Sequence, residues 1–152
     1  MKTFLKVPQK VDHALLLVTV LAERYKAEKP LSLDEVAKKE GISQGYLEEV
    51  AHLLRAAGIV AGKRGAHGGY VLAKDPEEVT VANIITAMEG QTWTPECIGE
   101  TPHRKVPAND GIWRKVQGQV MSTLHNMTIA DIVSDVSGPA ILRGTNKVGT
   151  KN

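Results

Sequence analysis

The chain has 152 residues, the size of one compact domain or of a domain with an added oligomerisation element. Apolar residues make up 42% and aromatics only 4%, so the core must come from Leu, Val, Ile and Ala, which favours a mostly α protein. A net charge of +2 leaves any polyanion binding to local clusters, and the single cysteine excludes an internal disulfide framework. No apolar run is long enough to span a membrane, and Lys2, Lys6 and Lys10 precede no cleavable apolar leader, so a soluble, cytoplasmic protein is expected.

Val11, Leu15, Val18, Ala22 and Tyr25 recur three and four apart and predict a helix over 11–25. Leu16, Leu17, Val20 and Leu21 widen its stripe, so this helix is expected to be central. Beyond Pro30, Ser32 and Glu35 have the spacing of a capping box and predict a short helix from about Leu33. Gly41 supplies the turn after it, and Ser43 opens a second helix to about Ala57, closed by Gly58. Residues 59–61 and 70–72 are β-prone runs joined by a glycine-rich segment, which signals a two-stranded hairpin.

Thr80 is placed to cap a helix containing Val81, Ile84, Ile85 and Met88 and ended by Gly90. Residues 91–110 hold Pro95, Pro102 and Pro107 without periodicity and read as a long loop, the place to seek regulation. Ile112, Val116, Val120, Leu124 and Met127 then form another helical stripe, and Thr128 with Asp131 starts a short last helix. Residues 138–152, rich in Gly, Lys, Thr and Asn, are expected to be a disordered tail.

A helix-turn-helix needs a small residue where its helices touch, a turn residue tolerant of positive φ, and aliphatic residues flanking both. Ala37, Gly41, and the set Val36, Ile42, Leu47 and Val50 meet those needs. The hairpin follows directly as a wing whose tip gathers Lys63, Arg64 and His67 among glycines, including Gly68 and Gly69, that let backbone approach phosphates. In the docking this predicts, the first turns of the second helix enter the major groove with Ser43, Gln44, Gly45, Tyr46 and Glu48, and Arg64 reaches phosphates or the minor groove. Glu48 suits cytosine as an acceptor, and Gln44 suits adenine. The expected organisation is a DNA-binding winged head over 1–90, a sensor loop over 91–110, a dimerisation helix with a short last helix over 111–137, and the tail.

At this point the sequence resembles the Rrf-two family of winged-helix regulators, the iron-sulfur-cluster-regulator type. The matching text is Ser32-Leu-Asp-Glu-Val-Ala37, Ile42-Ser-Gln-Gly-Tyr-Leu-Glu-Glu-Val50, Leu54-Arg-Ala-Ala-Gly-Ile-Val60, Arg64-Gly-Ala-His-Gly-Gly-Tyr70 and Val79-Thr-Val-Ala82. It continues through Trp113-Arg-Lys-Val116 and Met127-Thr-Ile-Ala-Asp-Ile-Val133. The resemblance implies a homodimer joined through the long helix around 111–126, with Ile112, Val116, Val120 and Leu124 at the interface, reading a pseudo-palindromic double-stranded DNA operator.

The resemblance also implies, in cluster-binding members, a [2Fe–2S] cluster held by three loop cysteines and a histidine or carboxylate. Here the loop has only Cys97; Asp12 matches an N-terminal carboxylate position and His103 follows six residues after Cys97. One thiolate is poor support for a cluster held mainly by thiolates. Cys97 is left as a plain loop thiol, a redox sensor or a metal ligand, His103 also reads as a solvated loop histidine, and Asp12 as a helix cap. A DNA-binding repressor or activator is the leading reading, and a protein-interaction module controlling a partner enzyme the second. An enzyme is disfavoured, because no nucleophile sits beside a base and no phosphate-cradling motif occurs.

Overall fold

The computed structural model describes residues 7–91 and 107–137. Cys97, His103 and the tail over 138–152 lie outside the described residues. Helix α1 (Gln9–Glu23) buries Val11, Ala14, Leu17, Val18, Leu21 and Ala22. The expected central position holds, and Val11, Val18 and Ala22 of the predicted stripe are buried together with Leu17 and Leu21 beside it; Leu15, Leu16 and Val20 are only half-buried, and Tyr25 has left the helix for a 3-10 turn over Tyr25–Ala27. That turn ends at Glu28 in the left-handed region, φ 50°.

Helix α2 (Leu33–Glu40) opens at Ser32, whose Oγ accepts from the Asp34 N–H at 3.3 Å. The reciprocal bond expected from Glu35 is not made; its carboxylate instead lies 3.9 Å from the Arg24 guanidinium, so Ser32 is a simple cap rather than half of a box. Gly41 at φ 67° lets the Ile42 N–H turn back to Ala37 O at 3.0 Å, which closes α2 and redirects the chain. Helix α3 (Gln44–Ala56) buries Leu47, Val50, Ala51 and Leu54 and ends at Gly58, φ 73°. There the Gly58 N–H bonds Arg55 O and the Ile59 N–H bonds Leu54 O, satisfying carbonyls that the helix end would leave bare.

Strands β1 (Val60–Lys63) and β2 (Gly69–Leu72) pair antiparallel, with Val60 opposite Leu72 and Lys63 opposite Gly69. The ladder is longer than β propensity predicts, because Gly62 and Lys63 join it, and the wing tip shrinks to five residues, 64–68. Leu31 adds a bridge on the far edge of β2: it exchanges two N–H···O bonds of 2.9 Å with Tyr70 and ties the start of the helix pair to the wing. Helix α4 (Val81–Glu89) starts with a full capping box between Thr80 and Asn83 and buries five apolar residues. The result is mostly α with one small hairpin, six helices among the described residues.

Helix α5 (Pro107–Asn126) begins five residues before Ile112, the first residue of the predicted stripe, within the segment expected to be loop. Proline suits the first helical position, where its missing N–H has no partner to lose and its fixed φ is already helical. Helix α6 (Ile129–Ser137) starts with the predicted pair: Asp131 accepts from the Thr128 N–H at 2.9 Å, and Thr128 Oγ1 accepts from the Asp131 N–H at 3.2 Å. Ile129 is fully buried, and its N–H bonds Val79 O at 2.8 Å, so α6 is anchored to the segment leading into α4.

The Thr128 backbone N–H, and after it the Thr128 hydroxyl, hold the Asp131 carboxyl below its ordinary value of 3.8. A depressed carboxylate adds stability that is present above its unfolded pKa and lost as pH falls through the folded one. Asp131→Asn is therefore expected to lower the thermal midpoint near neutral pH by a few degrees, with the gap closing as pH drops below 3.8; paired melts across pH check this.

Candidate nucleic-acid interface

Helix α3 carries Gln44, Glu48, His52 and Arg55 at steps of four, four and three, a single exposed ridge opposite its buried face. That ridge, with Asp34 of α2 and Gly69 and Tyr70 of β2, borders an open groove of about 380 Å³. A second groove of about 570 Å³ adjoins it across Arg55 and Tyr70 and runs along β1 to Lys63 and Arg64. Recognition helix and wing thus form one continuous surface, and Arg55 links its halves.

Charge on this surface is prearranged. Gln44 Nε2 donates to Glu48 Oε1 at 3.2 Å, so the two side chains proposed to read bases hold each other in place. Lys38 donates to Asp34 at 2.6 Å, and that hydrogen bond, with the attraction between the two charges, raises the Lys38 pKa while offsetting the acid at the groove wall. Arg55, Lys63 and Arg64 have no carboxylate within 4.0 Å among the described residues, leaving their charge available to a polyanion.

The predicted residues do not all converge here. Gln44 and Glu48 line the first groove, Lys63 and Arg64 the second, and Gly69 both. Ser43 and Tyr46 border a different hollow with His13 and Gly41, where the Tyr46 ring meets the His13 ring edge to face at 5.5 Å. Gly45 is exposed in the first turn of α3, and a methyl group there would touch only Ser43 Oγ, at 3.9 Å. His67 is exposed at the wing tip. Gly68 and Gly69 have a role inside the protein as well: a side chain at Gly68 would overlap the Lys63 and Gly65 carbonyls, and one at Gly69 would overlap the Leu31 backbone. His52 and Arg55 were not singled out from the sequence, although extending the Gln44–Glu48 period by four and then three residues finds them.

The family model described as "Iron-dependent Transcriptional regulator", Rrf2, matches residues 7–135. The chain belongs to the Rrf2 family. It is 32% identical over 134 residues to the HTH-type transcriptional regulator CymR of Bacillus subtilis, covering 88% of this chain and 94% of that protein. It is 33% identical over 110 residues to the HTH-type transcriptional regulator IscR of Serratia proteamaculans, covering 71% of this chain and 67% of that one. The structure of CymR, the global cysteine regulator of B. subtilis, superposes with a TM-score of 0.74 at 33% identity, covering 86% of this chain and 97% of that chain. This Rrf2 protein is accordingly a DNA-binding transcription regulator with a winged-helix fold, not an enzyme.

The donors present do not fit an iron-sulfur cluster. Such clusters are held mainly by thiolates, and this chain has one cysteine. Asp12 is exposed on α1, and among the described residues no three His, Cys, Asp or Glu side chains gather to hold a metal. Along α5, Ile112 is 59% exposed while Val116, Val120 and Leu124 are half-buried, so the stripe lacks full cover within one chain.

Proposed function

We propose that this Rrf2 regulator acts as a homodimer whose two winged heads grip a pseudo-palindromic operator. The first turns of α3 enter the major groove with Gln44 and Glu48 at base edges, His52 and Arg55 face the backbone, and Lys63, Arg64 and His67 of the wing follow the flanking phosphates or the minor groove. The observation that carries this reading is the continuous groove from the α3 ridge to Arg64, with its cations free of carboxylate partners among the described residues. Dimerisation through α5 is supported by the incompletely covered stripe of Ile112, Val116, Val120 and Leu124. A C2 pair of heads also suits a site with two half-sites about one turn apart.

The regulatory signal enters, on this reading, through residues 91–110, where Cys97 is the one thiol; an effector acts by binding one dimer geometry better than another. Arg64→Ala is expected to weaken operator binding by about 1–3 kcal/mol and to reduce the slope of log affinity against log salt by about one phosphate's worth. Fluorescence anisotropy of a labelled operator over a salt series measures both. An unchanged affinity and slope would remove the wing from the interface.

A further inference from the structure

A third cleft, of about 360 Å³, lies on the α1 side of the wing, away from the α3 ridge. Arg24, Lys26, Lys29 and Lys63 surround it, and Glu28 is its one acid. Arg24 is engaged loosely by Glu35 at 3.9 Å, whereas Lys26, Lys29 and Lys63 have no carboxylate within 4.0 Å among the described residues. Like charges facing one cleft repel, and a multivalent anion relieves that repulsion. The rest of the lining is different in character: Leu21 and Leu72 are buried, and Val71 and Tyr25 are half-buried. Glu28, on the turn that presents Lys26 and Lys29, is the one non-glycine residue at positive φ among those described, a conformation kept at a cost of about 1–3 kcal/mol.

We propose that this cleft binds a small phosphorylated organic molecule, its phosphates on Lys26, Lys29 and Lys63 and its planar or apolar part against Tyr25 and Val71. The half-buried Tyr25 and Val71 give the cleft an apolar side next to its cations, which sets it apart from a simple DNA backbone contact on an open ridge. Lys63 belongs to β1 of the wing, and Lys29 lies two residues before Leu31, which is bonded to β2. A ligand bridging the two lysines therefore clamps the wing to the end of α1. Resting on the DNA-binding reading for this second step only, occupation of the cleft changes operator affinity by fixing the wing.

Calorimetric titration of the full chain with inorganic pyrophosphate and with ADP, without DNA, tests the site independently of any operator. Both probes are expected to bind, ADP more tightly, and Lys26→Ala/Lys29→Ala to weaken both at least tenfold, while Arg64→Ala leaves them unchanged. Tyr25→Phe is expected to keep the preference for ADP, and Tyr25→Ala to lose it. Absence of binding at millimolar probe, or equal binding by wild type and the double lysine variant, overturns the site. A double lysine variant that binds probes normally but loses operator affinity and salt slope overturns it too, and assigns those lysines to the DNA backbone.

Discussion

Ile112→Glu is expected to raise the dimer dissociation constant by about 10²–10⁴ and to abolish tight operator binding with it. Ile112 is 59% exposed in the single chain, so a glutamate there meets water and leaves the monomer intact. In a twofold interface the residue occurs twice, and burying an isoleucine contributes about 1.5–3 kcal/mol, so the loss is about 3–6 kcal/mol, or two to four decades. Two glutamates brought toward one seam repel besides. Sedimentation equilibrium reads the association, and circular dichroism shows whether the head stays folded. A variant that stays dimeric at wild-type affinity would place the seam elsewhere and leave the exposure of Ile112 without a purpose. Because a monomer holds one half-site, anisotropy on half-site and full-site duplexes is expected to give similar, weak affinities for the variant.

Much of the head was legible because local and long-range signals agree there. Ser43, Gly41 and Gly58 each impose a backbone conformation that depends on few neighbours, so the boundaries of α2 and α3 follow from residue type. The 3.6-residue period fixed which face of α3 is inside, and hence which side chains face outward. Elements that depend on partners distant in sequence were hidden. Leu31 has no strand signal of its own and becomes a bridge because β2 offers a free edge beside it. On α1 the burial of Ala14 and the half-exposure of Leu15, Leu16 and Val20 depend on the three helices that pack around it, and a nine-residue apolar-rich stretch does not say which neighbour claims which face.

The same logic separates the site residues. Gln44 and Arg64 line the grooves that their motif positions suggest, whereas Tyr46, expected to enter the major groove with Gln44, meets His13 of α1, a pairing set by how α1 crosses α3. The Ser32–Glu35 spacing suited two outcomes, and the nearby Arg24, outside the local window, competes for the carboxylate. The third cleft was invisible for a related reason: it joins residues 24–29 to Lys63 only after the wing folds back on α1.

Gly69→Ala is expected to cost about 2–6 kcal/mol of stability and to detach the wing from the helix pair. Gly69 sits at φ 158°, and a methyl group on it would overlap the Leu31 carbonyl and crowd Ser32 N at 3.1 Å. The obstacle is backbone on both counts, so no side-chain rotation relieves it. To make room, Leu31 must withdraw from Tyr70, and the two 2.9 Å bonds between them go. Two net hydrogen bonds at about 0.5–1.5 kcal/mol each, added to backbone strain of about 1–3 kcal/mol, give that range. Gly62→Ala, seven positions earlier on the paired strand, is the matched control: a methyl group there meets nothing within 4 Å, and its φ carries no penalty. Denaturant midpoints are therefore expected to separate the two variants clearly. If both unfold alike, the Leu31 bridge does not brace the wing. Since the groove between α3 and β2 includes Gly69 and Tyr70, Gly69→Ala is also expected to weaken operator binding under conditions where the protein remains folded, through misplacement of Arg64 rather than loss of any contact of its own.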